Sequence, residues 1–137
     1  MPGRFAFTID AAVENIPLVT DALEDYLTSA GADPLILPDI QLAVNEATTN
    51  IVTHGYMGKP GIIGITRTIG AGSVRIEIRD KAPAFNPLSV RMPDPPADLA
   101  DQVTTGMGLF LIRKVMDAVS YDFIDGENVL TMEKKEE

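Results

Sequence analysis

Two glycines, Gly106 and Gly108, stand where a proline-rich stretch of the chain gives way to an apolar helical pattern. Glycines at the start of a helix leave the backbone N–H groups unshielded, and the helix dipole favours negative charge there. A phosphate group is the ligand that suits such a position. A second interpretation stays open, because many helices begin near a glycine and bind no ligand.

Three polar residues, Glu46, Asn50 and His54, recur at intervals of four within the segment 42–56. This spacing places their side chains on one stripe of a predicted helix. The stripe starts away from the apolar face of that helix and slants toward it at His54. The apolar face consists of Ile40, Ala43, Val44, Ala47 and Ile51. A polar row beside an apolar face favours the wall of a cleft, and a solvated flank that ends in a structural histidine is the alternative.

Asp80 is the third candidate, and it ends a predicted strand in which Val74, Ile76 and Ile78 alternate with charged residues. An aspartate at the end of a strand is often only a turn former. Its position between the polar stripe and the glycine pair in chain order predicts that the three features face one cavity.

The elements that must position these residues follow from the hydrophobic pattern. Predicted strands cover residues 4–9, 62–69, 74–80, 119–123 and 129–133, and predicted helices cover 16–30, 39–54 and a stretch that begins at 106–108. This order predicts an α/β two-layer sandwich of the α+β type. Its sheet would be mixed and mostly antiparallel, with about five strands, and three helices would cover one face.

The composition limits the classes of protein that remain. The chain has 137 residues, a net charge of −9 and no cysteine, which predicts one domain over residues 1–137 without disulfides or thiol chemistry. The acidic charge disfavours direct binding to nucleic acid, and no apolar run approaches the roughly 18 residues of a membrane span. We therefore expect a cytoplasmic protein. The Pro-rich segment at about 81–105 has no periodic pattern, as is typical of functional loops.

Together these features resemble the GHKL ATPase superfamily, and within it the anti-sigma factor serine/threonine kinases of bacterial partner-switching systems. The resemblance lies in Glu46 to Asn50 with His54 and Tyr56, in Asp80 running into Phe85-Asn86-Pro87, in Gly106 to Asp117, and in Asn128 to Glu133. It covers nearly the whole chain and implies a histidine kinase-like ATPase fold.

The resemblance implies a site for ATP and Mg²⁺. It makes Glu46 the general base, Asn50 the Mg²⁺ ligand and Asp80 the acceptor for the adenine amino group. The other nucleotide-binding residues that it implies are Ala82, Phe85, Gly106, Met107, Gly108, Leu109 and Thr131. The segment at about 81–105 would be the lid over the nucleotide. For His54, a structural capping role and a catalytic role both stay open.

The sequence departs from the family at Ala82 and Ala84, where relatives have glycine. If either position needs a positive φ, alanine is strained there by roughly 1–2 kcal/mol. If the glycine instead makes room for the base, the alanine methyl group intrudes, and in either case ATP binding is weakened. The predicted lid also carries few cations, since only Lys81 and Arg91 lie between Asp80 and Gly106.

The function implied by the resemblance is an anti-sigma factor kinase. Such a protein phosphorylates an anti-anti-sigma partner of the STAS type, otherwise sequesters a sigma factor, and often pairs as a homodimer. The alternative is a protein-binding module, nucleotide-responsive or nucleotide-free, that has no kinase activity.

Overall fold

The computed structural model describes residues 4–70, 72–84 and 107–136. Five strands form one sheet: β1 Arg4–Asp10, β2 Ile62–Gly70, β3 Ser73–Asp80, β4 Ala118–Ile124 and β5 Glu127–Lys135. Their order in the sheet is β1-β2-β3-β5-β4, and all four pairings are antiparallel. Since strands close in sequence pair with each other, short connections suffice for both hairpins. The predicted two-layer α+β sandwich is confirmed.

Three α-helices accompany the sheet: α1 Ile16–Ser29, α2 Leu37–Asn50 and α3 Met107–Val115. Helix α2 packs against both α1 and α3. It begins two residues before the predicted start, because Pro38 lies in the first turn, where a missing N–H removes no helical hydrogen bond. None of the helices in the described ranges is long and apolar enough to cross a membrane.

One face of the sheet, here called the inner face, packs against the helices. Alternate residues of β2, β3 and β5 point toward this face, as the period of two in a strand requires. The fully buried members include Ile63, Ile65, Val74, Ile76, Ile78 and Met132 from the sheet, and Val19, Leu23, Ile40, Ala43 and Val44 from the helices. The core therefore lies between α1, α2 and the three central strands.

A charged side chain also lies in this core. Arg67 on β2 has no exposed surface, and its guanidinium carbon lies 4.3 Å from the centre of the Phe5 ring and 4.2 Å from that of Tyr26. Nη1 donates to the carbonyl of Ala22 at 3.2 Å. Nε and Nη2 are buried without a hydrogen-bond partner among the described residues. Burial lowers the pKa of Arg67 to about 10, against a smaller opposing effect of Tyr26.

Lys134 on β5 contacts both α2 and α3. Its Nζ lies 3.0 Å from a carboxylate oxygen of Asp39 in the first turn of α2. The same atom donates to the carbonyl of Val115 at the end of α3, at 2.6 Å. A cation at the C-terminal end of a helix also complements the helix dipole. This contact fixes the spacing between α2 and α3.

Candidate functional site

Asp80 is the centre of a buried polar cluster at the end of β3. It is 6% exposed and lies opposite Asn128 of β5, which is 7% exposed. Oδ1 of Asp80 accepts a hydrogen bond from the backbone N–H of Ala82 at 3.0 Å and another from Nδ2 of Asn128 at 2.9 Å. In the described ranges, both hydrogen bonds that Asp80 accepts enter this one oxygen.

The pKa of Asp80 is raised, and the largest cause is burial, which disfavours the ionised form. The hydrogen bonds from Asn128 and from the Ala82 backbone lower the pKa in part, and the nearby carboxylate of Glu127 raises it. Asp80 is thus a desolvated carboxyl group that two donors hold in one orientation. Such a group is suited to recognise a hydrogen-bond donor on a ligand.

Asn128 was not among the predicted site residues. Besides Asp80, its Nδ2 lies within hydrogen-bond distance of the carbonyls of Ala82, at 3.0 Å, and Pro83, at 3.3 Å. Its Oδ1 accepts a hydrogen bond from the hydroxyl of Tyr121 on β4. In the sequence Asn128 ends a turn, so its position suggested only a turn former. The alternation of β5, in which Leu130 and Met132 are buried, was the available signal that residue 128 faces inward.

Tyr56 holds the segment around Asp80 against the end of α2. Its hydroxyl donates to the carbonyl of Ile62 and accepts from the N–H of Lys81, both at 2.8 Å. The Tyr56 ring lies over Gly61, where an added Cβ would overlap the ring and lie 2.6 Å from Cδ1. Gly61 is therefore required for close approach of the ring. This tyrosine connects the helix, the start of β2 and the end of β3.

The strain that we expected if Ala82 or Ala84 needed a positive φ is not present. Outside glycine, the positive-φ residues of the described chain are Met57 and Asp125. Ala82 is 4% exposed, and its methyl group lies 3.3 Å from the place where a Cβ on Gly55 would be. The Ala82 methyl thus packs against the end of the helical segment, where a glycine leaves room for it.

The polar stripe of α2 is buried only in part. Glu46 and Asn50 are both partly buried, as residues at the edge of a cleft would be. The stripe does not slant inward at His54, which is exposed. After Asn50 the chain winds as a π-helix over Ile51–Gly55, with the N–H of Tyr56 bonded to the carbonyl of Ile51 at 2.8 Å. This wider turn rotates the following residues relative to a regular helix.

Thr131 does not lie on the same face of the sheet as Asp80, the proposed acceptor for adenine. It lies opposite Glu77, three residues before Asp80, and successive residues of a strand point to opposite faces. Its side chain therefore faces away from the inner face. This corrects the expectation that Thr131 assists Asp80. Met107, Gly108 and Leu109 lie in the first turn of α3, while Phe85 and Gly106 fall outside the described residues.

Comparison with known proteins places this geometry in context. The sequence profile of the histidine kinase-like ATPase domain matches residues 9–134. The serine-protein kinase RsbW of Staphylococcus aureus strain bovine RF122 / ET3-1 is 33% identical over 118 residues, which are 82% of this chain and 74% of the relative. RsbW from strain JH9 is 32% identical with the same coverage.

Two solved structures have a similar fold. The structure of the RsbU and RsbW domains of a Mycobacterium tuberculosis protein matches with a TM-score of 0.65 and 21% identity, and the match covers 96% of this chain and 32% of that one. A chain of the SiaB–SiaC complex from Pseudomonas aeruginosa matches with a TM-score of 0.60 and 17% identity, and the match covers 95% of this chain and 88% of that one. At these identities the likeness concerns the fold.

Proposed function

The chain belongs to the histidine kinase-like ATPase domain family, and from this premise we propose that it is a serine/threonine protein kinase that uses Mg-ATP. Its relationship to the RsbW kinases supports an anti-sigma factor kinase in particular. The proposed substrate is a hydroxyl group on an anti-anti-sigma partner of the STAS type. When it does not phosphorylate that partner, the same protein would sequester a sigma factor in the cytoplasm, either alone or as a homodimer.

The observation that carries this proposal is the buried Asp80 carboxyl group. Both hydrogen bonds that it accepts from the described part of the chain enter Oδ1, so Oδ2 is the oxygen that would accept from the adenine amino group. An amino group donates to a carboxylate, whereas the carbonyl of guanine at the same position would be repelled by it. Burial strengthens this discrimination, because water does not compete at a desolvated site.

The residues of α2 fit the groups that phosphoryl transfer needs. Asn50 would hold Mg²⁺ through its amide oxygen, because this metal keeps several waters and needs only one or two protein ligands beside the phosphates. Mg²⁺ held there would offset the negative charge of the phosphates. Both Asn50 and Glu46 are partly exposed, so neither polar side chain carries the cost of full burial.

Glu46 would act as the general base. The hydroxyl oxygen of the partner forms a bond to the γ-phosphorus, and the bond between that phosphorus and the bridging oxygen of ADP breaks. The hydroxyl proton goes to the Glu46 carboxylate, and ADP leaves. Since Glu46 lies one helical turn before Asn50, the base and the proposed metal ligand are neighbours on one helix face. Gly106, Met107, Gly108 and Leu109 would contact the phosphates.

A second candidate function is a protein-binding module without kinase activity. The observation that favours it is the low number of cations in the proposed lid, since Lys81 and Arg91 are the two between Asp80 and Gly106. Phosphate charge would then be met chiefly by Mg²⁺ and backbone dipoles. The backbone of Ala82 and Ala84, which has no positive φ, opposes this candidate, because the strain that would weaken nucleotide binding is not present there.

The test compares Glu46→Gln with Glu24→Gln, which makes the same chemical change on an exposed part of α1. Calorimetry with Mg-ATP is expected to give similar affinities for both variants and the wild type. Transfer of labelled phosphate to an anti-anti-sigma protein should fall by about 10²–10⁴-fold in Glu46→Gln alone.

Unchanged transfer in Glu46→Gln would remove Glu46 from the role of base. Normal Mg-ATP binding with no transfer by the wild type, over a panel of STAS-type partners, would favour the binding module. No binding at millimolar Mg-ATP would overturn the kinase proposal.

A further inference from the structure

Three polar side chains on the inner face form a continuous chain across three strands. Tyr121 of β4 donates to Asn128 of β5, and Asn128 donates to Asp80 of β3. Asp80 and Asn128 are direct partners in the register. Tyr121 lies opposite Leu130, so it is the diagonal neighbour of Asn128, within reach of a long side chain. The chain therefore connects the edge of the sheet with the proposed base site.

The hydrogen bonds fix which way the Asn128 amide points. Three acceptors lie within hydrogen-bond distance of Nδ2: Oδ1 of Asp80 and the carbonyls of Ala82 and Pro83. The neighbour of Oδ1 is the Tyr121 hydroxyl, which can donate. A reversed amide would set its oxygen against three acceptors at the same time. The three acceptors thus select the orientation in which Asn128 donates to Asp80, and the Tyr121 hydroxyl donates to the amide oxygen in that orientation.

We propose that Asn128, oriented by Tyr121, is the positioning residue that makes Asp80 an acceptor for adenine and so sets the purine specificity of the site. This inference rests on the proposed binding of Mg-ATP. Donors at Oδ1 stabilise the carboxylate and direct its other oxygen toward the ligand. A carboxyl group without them is more readily protonated in this buried position, and a protonated carboxyl can donate to the guanine carbonyl.

The same amide also holds the chain after Asp80. By contacting the carbonyls of Ala82 and Pro83, Asn128 fixes the backbone that leads into the proposed lid. The Ala82 N–H returns to Asp80 at 3.0 Å, so the side chain and the turn stabilise each other. Loss of the Asn128 side chain would therefore change both the orientation of the Asp80 carboxylate and its protonation.

The experiment measures the affinities for Mg-ATP and Mg-GTP by calorimetry in the full chain. The ratio of the two is the readout, because general loss of stability does not select between the bases. Asn128→Leu removes the donor while keeping the branched shape of the side chain, and we expect the preference for ATP to fall by at least about tenfold. Tyr121→Phe removes only the hydroxyl and should reduce the preference by a smaller factor of about 3 to 10.

Ser120→Ala is the matched control, since it removes a hydroxyl next to Tyr121 from an exposed position on the other face. Its ratio should equal that of the wild type. Asn128→Thr keeps a hydroxyl donor and should restore part of the preference for ATP. If Asn128→Leu does not fold, the Tyr121→Phe and Asn128→Thr ratios decide the question.

The outcomes separate this inference from the proposed function. A wild type that binds Mg-ATP in preference to Mg-GTP, with unchanged ratios in Asn128→Leu and Tyr121→Phe, overturns the role of Asn128 and leaves the nucleotide site standing. A wild type that binds neither nucleotide overturns both. A reduced ratio in the two variants, with Ser120→Ala unaffected, supports the inference.

Discussion

Replacing Gly61 with alanine should disrupt the packing of the Tyr56 ring, which connects the helical segment after α2 with the turn that follows Asp80. The added Cβ would overlap Cε1 and Cζ of the Tyr56 ring and lie 2.6 Å from Cδ1. Gly61 does not have a positive φ, so the backbone itself accepts alanine and the clash with the ring is the whole effect. Either the ring or the segment that begins β2 must move.

The magnitude follows from what the ring holds in place. If Tyr56 moves, its hydroxyl loses the hydrogen bonds to Ile62 and Lys81, both 2.8 Å long, each with a net contribution of about 0.5–1.5 kcal/mol. Overpacking adds strain of about 1–3 kcal/mol. The reduced flexibility of the unfolded chain offsets about 0.4–1 kcal/mol. Together these contributions predict that Gly61→Ala lowers the free energy of unfolding by about 1–5 kcal/mol.

Gly70→Ala is the control, because this glycine ends β2, the strand that begins just after Gly61, and no atom of the described residues lies within 4 Å of an added Cβ. Urea denaturation should give a change within about 0.5 kcal/mol for it. In a protein that already carries Tyr56→Ala, Gly61→Ala should hardly change the free energy of unfolding, because the ring that it would meet is gone. A double-mutant cycle measures this difference as a coupling energy between the two positions. Equal costs for the two glycine variants, or a cycle without coupling, would refute the reasoning. Of the two glycine variants, only Gly61→Ala should show a lower affinity for Mg-ATP together with a lower free energy of unfolding.

Two further predictions concern buried charges. Arg67→Met retains much of the volume between the aromatic rings and removes the unpartnered Nε and Nη2, so urea denaturation should find a loss below about 1.5 kcal/mol or a gain. Arg67→Ala leaves a cavity and should cost about 2–5 kcal/mol, and equal large losses in both variants would contradict this account. The second prediction is that acid stabilises the wild type relative to Asp80→Asn. Because burial raises the pKa of Asp80 above 3.8, the folded state takes up a proton before the unfolded state does. The free energy of unfolding, relative to the variant, should rise as pH falls through the folded pKa and level off below about 3.8; a relative loss of stability on acidification would show that the sign is wrong.

Much of this arrangement could be predicted from local pattern. The apolar residues of α2 at helical spacing, the alternation of Val74, Ile76 and Ile78, and the turn before Ser73 each depend on residues close in sequence. The same alternation places Asp80 on the buried face. These features predicted the order of the elements and the candidate residues Glu46, Asn50 and Asp80.

The errors have a common physical cause, since they depend on how distant elements meet. Thr131 and Asn128 both lie on β5, but a shift of one residue in a strand changes the face to which a side chain points. The pairing of Asp80 with Asn128 brings the amide to the carboxyl group. The inward slant of the stripe at His54 was wrong because the π-helical turn at Ile51–Gly55 changes the rotation of the helix.

The sequence by itself determined the class of fold, the polar stripe, the aspartate at the end of β3 and the resemblance that implies an ATPase domain, because periodicity and short motifs are local. Only the tertiary structure decided which donors hold that aspartate, which tyrosine fixes the turn after it, and that Ala82 fits against Gly55 without strain. These contacts join residues 25 to 48 positions apart. They exist because register and packing bring the residues together.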